Sequence, residues 1–392
     1  MLKSRQMNTI LLLGAGTQAL SIVRKLAKAG YIVMMLVEEK GNYADSSVFV
    51  SKCFVSDVPV TSSEYLDCVK RLVEKENIDV VIPMGDTTAE FVSKNKESLS
   101  GIVNITAPDY GNFLKGYDKN KLMTLCRDKG YPHPETTDLS AVPDLDCDEL
   151  KAFPYPAILK PNCTTGGRGM VVVNSYEEMI AKYVTLHDLY GDYHLQRFVR
   201  EGGRQVKIQL CVDGKGGLIA HSAMEKVRWF PVKGGSSCCA VSIEEKKMTD
   251  ICLQILRDIH WEGFADFDLI EDPDTKELLI MEINPRFPAC LGAAVHAGVN
   301  WGQILVEQAL GYPVKSYPFK AGVVLRHLGF DVLWFLKSSR RFNTNPSWFR
   351  FWGKNVFYQD MDGWGDIKPF FSGTYHNVKK LFDPSFKQAK SI

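Results

Sequence analysis

Residues 264–286 read FADFDLIEDPDTKELLIMEINPR and predict two strands joined by a turn. The runs FADFDLI and LLIMEIN alternate apolar and polar side chains, and EDPDTKE is rich in turn-forming residues. Side chains two positions apart on a strand share a face, so Glu282 and Asn284 face one site across from Asp268. Three oxygen ligands of this kind suit Mg²⁺. The alternative is a solvated acidic face on a hairpin.

Two more charged residues belong to this hairpin. Asp266 shares the face of Asp268 and is the secondary candidate for the metal. Arg286 follows Asn284 by two positions, and a guanidinium there could stabilise charge that builds on a transferring phosphoryl group.

Residues 157–173, AILKPNCTTGGRGMVVV, predict a strand, a glycine loop and a second strand. Lys160 at the end of the first strand can pair with phosphate oxygens, and the backbone amides of the loop can close over them. The loop contains Gly166, Gly167, Arg168 and Gly169. This pattern differs from the strand-to-helix P-loop, which ends in GK[ST]. The alternative is a structural hairpin rich in glycine.

The N-terminal region predicts a βαβ unit. TILLL from Thr9 precedes the turn GAGTQA, an amphipathic stretch to Ala29 and the strand YIVMMLVEE, and DVVIP follows a second helix. A parallel α/β sheet to about Phe113 is therefore expected. The GxGxxA turn with Glu38 is compatible with a dinucleotide site, although a tight turn without nucleotide is the favoured interpretation.

Composition limits the remaining classes of function. The chain has 392 residues, 45% hydrophobic content and a formal charge of +1, so we expect several compact units and no field for nucleic acid. Ten cysteines without CxxC spacing indicate a reducing compartment, namely the cytoplasm. No apolar run approaches the roughly 20 residues of a spanning helix, so no transmembrane segment is expected.

The order of these motifs resembles the ATP-grasp superfamily. Asp118-Lys119, Lys160-Pro161, the glycine loop, the run LQRFV, the paired acids and Asn-Pro-Arg follow one another between Asp118 and Gly311. Within the superfamily, the chain is similar to carbamoyl-phosphate-synthase-like and D-amino-acid-ligase-like proteins. The resemblance implies a mixed α/β and α+β fold in three parts. These are a parallel-sheet pre-ATP-grasp domain (1–115), a two-lobed ATP-grasp domain (116–311, lid lobe about 155–200) and a C-terminal extension (312–392).

The resemblance also implies roles for individual residues. The nucleotide phosphates would contact Lys119 and Lys160, and residues 166–169 would form the lid. At the hinge, Gln196 would meet the adenine edge, together with backbone groups of Phe198 and Val199. Asp268, Glu282 and Asn284 correspond to the magnesium ligands, and Arg286 to the arginine beside the γ-phosphate.

The sequence departs from the family pattern at the hinge. Arg197 follows the hinge glutamine, and Gln205 stands where relatives carry a glutamate on the ribose. Either Gln205 or Glu201 is then the ribose contact. Further on, Lys226 and Arg228 resemble the basic strand that faces the acceptor or acyl phosphate, and the alternative is a solvated strand face.

The resemblance implies a ligase that uses ATP and Mg²⁺, with Mn²⁺ as a substitute. ATP would convert a carboxylate to an acyl phosphate, which an amine attacks with release of ADP and phosphate. Amino acids, peptides and cell-surface precursors all fit as substrates, and a homo-oligomer stays open. The alternatives are a bicarbonate-activating enzyme, a nicotinamide-dependent oxidoreductase and a non-catalytic nucleotide-binding module.

The tail from Tyr312 is rich in tryptophan and carries a basic cluster, Lys337, Arg340 and Arg341. A packed C-terminal subdomain is the favoured interpretation. The tail could also cover the acceptor site, or contact a membrane surface that bears a lipid-linked acceptor.

Overall fold

A computed structural model describes residues 7–163, 168–232, 234–314, 317–361 and 364–382. The predicted lid residues Gly166 and Gly167 lie outside these ranges. The strands are β1 (Thr9–Leu13), β2 (Ile32–Val37), β3 (Lys52–Val55), β4 (Val80–Pro83), β5 (Thr136–Asp138), β6 (Ala157–Pro161), β7 (Val171–Val173), β8 (Tyr193–Arg197), β9 (Gln205–Val212), β10 (Leu218–Phe230), β11 (Ser236–Ile243), β12 (Gly263–Glu271), β13 (Leu278–Asn284), β14 (Val324–Arg326) and β15 (Val356–Tyr358).

Helices and strands are both substantial, as the mixed α/β prediction requires. The α-helices are α1 (Thr17–Lys28), α2 (Tyr65–Glu76), α3 (Asp86–Lys94), α4 (Lys96–Ser100), α5 (Tyr110–Tyr117), α6 (Lys119–Lys129), α7 (Asp148–Lys151), α8 (Tyr176–Tyr190), α9 (Lys246–Asp258), α10 (Gly292–His296), α11 (Trp301–Ala309), α12 (Leu328–Lys337) and α13 (Lys368–Phe382). Short 3₁₀ turns cover Ala44–Ser46, Leu139–Ala141 and Trp364–Asp366. Among the described residues, no helix combines the length and apolar character needed to cross a membrane.

The chain divides into two compact units. The larger unit contains the residues up to Phe113, Lys207–Asp266 and Asn284–Val378. The smaller unit contains Leu114–Val206 and Phe267–Ile283.

The N-terminal sheet of the larger unit has the strand order β3-β2-β1-β4, and its strands pair in parallel. This confirms the predicted parallel α/β region. Every residue of β1 is buried, because helices cover a parallel sheet on both faces. Residues Ile10 and Leu12 pack in one core cluster, whereas Leu11 and Leu13 pack in another. Strand β3 was not predicted, and its four residues are partly or fully exposed.

A second sheet has the strand order β13-β12-β9-β10-β11-β14-β15. Strands β10 and β11 pair antiparallel, with Glu225 opposite Val241, and β11 continues to β14 with Val241 opposite Val324. The pattern LIAHSAM predicted only the first part of β10, which runs on to Phe230. Strand β11 was not predicted.

The smaller unit contains a four-stranded sheet of order β5-β8-β6-β7, and its strands pair antiparallel. Helix α8 begins after Ser175, whose side chain accepts a hydrogen bond from the Glu178 amide as an N-cap. The prediction of one helix near Tyr176 to Tyr190 is confirmed. Apolar side chains on one face of this sheet form a separate core cluster with α8.

The C-terminal residues pack against the N-terminal sheet region within the larger unit. The guanidinium of Arg24, on α1, donates from Nε to Asp366 Oδ2 at 2.8 Å, and both side chains are 2% exposed. The same carboxylate accepts from Ser47 Oγ at 2.8 Å and from the Val48 amide at 2.9 Å. Gln359 Nε2 donates to the Thr17 carbonyl at 2.8 Å. The buried Asp366 carboxylate therefore joins the C-terminal residues to α1.

Replacing Asp366 with alanine is expected to destabilise the larger unit. The change leaves the Arg24 guanidinium buried without its counter-ion, which typically lowers the free energy of unfolding by about 3–5 kcal/mol. Urea unfolding followed by tryptophan fluorescence measures the loss. Asp250→Ala is the matched control, because Asp250 pairs with Lys246 through side chains that are 61% and 89% exposed, and its loss should cost less than about 1 kcal/mol. Equal effects of the two changes would contradict the assignment.

Candidate functional site

Strands β6 and β8 present a polar face in the smaller unit. In their antiparallel register Lys160 lies opposite His194, and Ile158 lies opposite Gln196. Because successive side chains alternate across a sheet, these four residues share one face. The other face supplies the apolar core residues Ala157, Leu159, Tyr193 and Leu195. The alternation that builds the core thus also brings Lys160 and Gln196 together.

The ammonium of Lys160 is buried on this face. The residue is 7% exposed, and its Nζ donates to Gln196 Oε1 at 2.5 Å. Gln196 in turn donates from Nε2 to Thr136 Oγ1 at 3.0 Å, which fixes the orientation of its amide. Burial lowers the pKa of Lys160 to about 8, an effect that the nearby Glu282 opposes and Lys119 reinforces. A neutral amide compensates a buried cation only partly, so the face favours an additional anion.

Lys119 is held beside this face by the start of α6. The Asp118 carboxylate caps the helix by accepting from the Asn120 and Lys121 amides, at 2.9 and 3.1 Å. The Lys119 amide donates to the Asn162 carbonyl at 3.1 Å, directly after β6. Its ammonium lies 3.4 Å from Glu282 Oε2, and the residue is only 9% exposed. Two lysines and one carboxylate therefore meet in the smaller unit.

His194 belongs to the same cluster, although sequence analysis did not identify it. Its Nδ1 lies 2.8 Å from Asn162 Oδ1, and an amide oxygen only accepts, so the ring proton is on Nδ1. Burial, together with the charges of Lys160 and Lys119, holds the pKa of His194 well below its ordinary value. The ring is therefore neutral. Its Nε2 is buried, and no hydrogen-bond partner faces it within the described ranges. The alternation of His194 with Gln196 in HLQ is the signal that could have found it.

Only the end of the predicted glycine lid is described. Arg168 is exposed, and Gly169 has φ +73°, a conformation that favours glycine. Tyr193 Oη donates to the Gly169 carbonyl at 2.9 Å. A Cβ on Gly169 would lie 2.7 Å from that hydroxyl and 2.8 Å from Pro161 Cγ. This glycine is therefore required for the return of the chain from the loop to β7.

At the predicted hinge, the Phe198 amide donates to the Pro156 carbonyl at 3.1 Å, and Val199 is buried. The prediction of adenine contacts here therefore rests on the Phe198 carbonyl and on Val199. Arg197 lies 3.0 Å from Asp272 Oδ2, so the basic residue at this position has an internal partner. Gln205 begins β9 and is half-buried.

The predicted metal ligands all lie on strands β12 and β13, which are neighbours in the sheet. Asp268 and Glu282 are half-buried, and Asn284 is 8% exposed. Among the described residues, no group of three or more His, Cys, Asp and Glu side chains could hold a metal ion. The predicted set has two carboxylates and one amide, and this all-oxygen donor set fits Mg²⁺, which keeps water and phosphate ligands for its other positions.

Asp266, the secondary metal candidate, has other partners. Lys207 Nζ donates to its Oδ2 at 2.8 Å, and Gln209 Nε2 donates to its Oδ1 at 2.5 Å. Gln209 also accepts from Ser222 Oγ at 2.8 Å. Asp266 is fully buried, so its carboxylate belongs to an internal ion pair.

Arg286 lies in the larger unit and contacts an acidic residue that the sequence analysis did not identify. Its Nε donates to Asp86 Oδ2 at 3.0 Å, and its Nη2 lies 3.4 Å from Asn284 Oδ1. Asp86 is the first residue of α3, shortly after β4. Acidic residues beyond the carboxyl end of a parallel strand are common in binding sites, and this signal could have found Asp86.

The two predicted basic residues of β10 have different surroundings. Lys226 is half-buried, with its Nζ 5.9 Å from the Trp229 ring centroid. Arg228 is 1% exposed and donates from Nε and Nη2 to the two oxygens of Asp331, at 2.6 and 2.9 Å. Asp331 also accepts from Arg326 Nε at 2.7 Å. The structure thus places Arg228 in the packing of α12 against the sheet.

The GxGxxA turn has local partners. Gln18 Nε2 donates to the Met84 carbonyl at 2.7 Å, and Glu38 Oε1 accepts from the Val60 amide at 3.1 Å. Glu38, the acid that could contact a ribose, therefore holds a loop of the sheet in place. This favours the structural interpretation of the turn.

The chain is similar to a known family and to several solved structures. The family model described as "Carbamoyl-phosphate synthase L chain, ATP binding domain" matches residues 118–313. Biotin carboxylase from Campylobacter jejuni has a TM-score of 0.66 at 18% identity, over 80% of this chain and 74% of that one. An N5-carboxyaminoimidazole synthetase from Staphylococcus aureus has a TM-score of 0.63 at 13% identity, over 86% and 87%. An L-amino acid ligase from Bacillus licheniformis has a TM-score of 0.59 at 15% identity, over 78% and 75%. At these identities the three structures show a shared fold.

The pKa of Lys160 leads to a predicted pH dependence of nucleotide affinity. Phosphate oxygens bind the ammonium form, which predominates below the pKa of about 8. Above about pH 8 binding must take up a proton, so the affinity for MgADP should fall by up to about tenfold per pH unit. Calorimetric titration between about pH 7 and about pH 9.5 measures the profile.

Two variants separate Lys160 from other titrating groups. Lys160→Arg keeps its charge throughout this range and should remove the slope. Lys121→Arg, at an exposed position of the same α6 helix, should keep it. A flat profile in the unmodified chain, or an unchanged slope in Lys160→Arg, would contradict the assignment.

Proposed function

The chain belongs to the ATP-grasp superfamily, and on that basis we propose that it is an ATP-dependent carboxylate–amine ligase. In the proposed reaction a carboxylate oxygen attacks the γ-phosphorus of ATP, and ADP leaves. The resulting acyl phosphate is attacked by an amine, which forms an amide and releases phosphate. The oxygen lost from the acid leaves with the phosphate, so no oxidant or reductant is needed.

The observation that carries this proposal is the meeting of Lys119, Lys160 and Glu282 in the smaller unit. Two buried ammonium groups suit the negatively charged phosphate oxygens of a nucleoside triphosphate. Gln196, whose amide is held by Lys160 and Thr136, is proposed to meet the adenine edge. The site provides position and charge, which are the main protein contributions to phosphoryl transfer.

Asp268, Glu282 and Asn284 are the residues that would hold Mg²⁺, and Mn²⁺ accepts the same ligands. Bound Mg²⁺ would neutralise phosphate charge during the transfer. Glu282 would then have a second role, because its carboxylate also lies 3.4 Å from the Lys119 ammonium. Two further assignments belong to the proposal. Residues 166–169 would form the lid over the phosphates, and Gln205 would contact the ribose.

Arg286 is proposed to stabilise the charge of the transferring phosphoryl group. Asp86 and Asn284 contact its guanidinium and thereby fix its orientation. Lys226 is proposed to face the acceptor or the acyl phosphate. Arg228 is proposed to act indirectly, by holding in place the strand that carries Lys226, because Asp331 and the Pro346 carbonyl engage its guanidinium.

The proposed substrates are a small-molecule carboxylate and an amine. All ten cysteines are free, which supports a reducing compartment, and we propose the cytoplasm. A bicarbonate-activating reaction is the second candidate, because biotin carboxylase is among the similar structures. A nicotinamide-dependent oxidoreductase is disfavoured, because Glu38, the candidate ribose contact, already accepts a hydrogen bond from the Val60 amide.

Product analysis tests the proposal. With Mg-ATP and pooled carboxylates and amines, the chain should release ADP and phosphate only when both substrates are present. Glu282→Gln should lower this rate by about a hundredfold or more, since it removes a charged ligand and the partner of Lys119. Glu277→Gln is the matched control, because Glu277 is exposed beside the same hairpin, and it should leave the rate unchanged.

Other products would separate the alternatives. Release of AMP and pyrophosphate would contradict an acyl phosphate. ADP release that needs bicarbonate alone would select the second candidate. Tight nucleotide binding without turnover in any pool would favour a non-catalytic module.

A further inference from the structure

The segment from Val332 to Lys354, here called the 332–354 surface, exposes large apolar side chains. Phe342 is 70% exposed, Phe349 is 55% exposed and Trp352 is 86% exposed. Leu336 is 61% exposed and Val332 is 38% exposed, one turn apart on α12. Exposed apolar groups that cluster in this way mark interaction sites more often than isolated ones do.

The exposed side chains project from a part of the segment that is itself well packed. Trp334 is 4% exposed, and the Arg228 guanidinium lies 5.5 Å from its ring. Trp348 Nε1 donates to the Asp331 carbonyl at 2.9 Å, and its ring centroid is 4.1 Å from that of Phe335. Phe335 in turn contacts the exposed ring of Phe342, at 5.7 Å. The same segment therefore buries one set of aromatic rings and directs another set to solvent.

The 332–354 surface is also cationic. Between Val332 and Gln359 the sequence has five basic residues and no Asp or Glu. Within the described part of the chain, none of these five cations forms an ion pair. They are Lys337, Arg340, Arg341, Arg350 and Lys354. The acids that bracket the segment, Asp331 and Asp360, are both fully buried, so they do not neutralise the surface at the solvent boundary.

We propose that the 332–354 surface binds the headgroup region of an anionic lipid bilayer. Trp and Phe favour the boundary between water and lipid, and Lys and Arg favour anionic headgroups. A polyanion such as single-stranded nucleic acid would use the cations and could stack on the rings. The aliphatic side chains of Leu336 and Val332 can neither stack on a nucleobase nor form hydrogen bonds with it, whereas they can pack among lipid acyl chains. This difference favours lipid.

Binding in this mode needs no spanning segment. The apolar side chains would enter the headgroup boundary, while the cations stay at the headgroup level. The chain would therefore lie at the membrane reversibly, with an affinity that depends on salt and on the anionic lipid content. This inference is independent of the proposed ligase reaction, and it would place that reaction beside membrane-bound molecules.

Vesicle sedimentation of the full chain tests the proposal. We expect binding to vesicles in which about one lipid in four is phosphatidylserine, and at least about tenfold weaker binding to pure phosphatidylcholine. Raising the salt to about 0.5 M should release the protein, because ionic screening shortens the range of attraction.

Two sets of variants test the two parts of the surface. Phe342→Ala/Phe349→Ala/Trp352→Ala should lower binding by at least about tenfold. Its control is Phe371→Ala/Tyr375→Ala, on α13, where the side chains are 63% and 74% exposed. Arg340→Glu/Lys354→Glu should have a similar effect, and Arg71→Glu/Lys75→Glu on α2, with the same change in net charge, should not. Circular dichroism and thermal unfolding verify that each variant is folded.

Fluorescence quenching tests whether the exposed side chains insert into the bilayer. Lipids brominated near the headgroup should quench the fluorescence of the bound chain, and Trp352→Phe should lose most of this quenching. No binding to anionic vesicles, or equal effects of the test and control variants, would overturn the proposal. Stronger binding to an oligonucleotide than to vesicles would point to a polyanion instead. Self-association abolished by the aromatic variant would assign the surface to a second copy of the chain.

Discussion

The burial of the Lys160 ammonium is the constraint on which the candidate site depends. Strand β6 places this side chain on the polar face of a sheet whose other face is core, so the charge cannot reach bulk water. Gln196 offers only a neutral oxygen, and Lys119 brings a second positive charge. Burial of this kind is costly unless an anion compensates it. The negative charge of a bound phosphate would supply this compensation, so the arrangement suits a phosphate-binding site.

The neighbouring residues follow from the same constraint. His194 stays neutral beside two cations, so it adds no charge to the face and can still accept a hydrogen bond. Glu282 balances Lys119 and also belongs to the predicted metal ligands. In the larger unit, Asp86 and Asn284 contact Arg286, and Asp331 engages Arg228. Lys119, Lys160, Arg228 and Arg286 thus each have a defined acidic or amide partner.

Much of this organisation could be predicted from sequence. Half-buried strands show alternating apolar and polar residues, and buried parallel strands show continuous apolar runs. TILLL, AILKP and LLIMEIN became strands β1, β6 and β13 as expected. Residues whose roles depend on distant partners could not be predicted. Asp86 meets Arg286 across 200 positions, and Asp331 meets Arg228 across 103. Strands β3 and β11 lacked a distinctive pattern, and the exposure of Trp352 depends on tertiary packing.

The protonation of Lys160 itself tests the central claim most directly. Carbon-13 labelling of the lysine side chains, with the Lys160 signal assigned from Lys160→Arg, allows its titration to be followed by NMR. The account predicts a pKa of about 8 in the free chain and a rise to above about 9.5 when a magnesium complex of a non-hydrolysable ATP analogue binds. A pKa that the nucleotide leaves unchanged would show that Lys160 does not contact the phosphates, and would contradict the account.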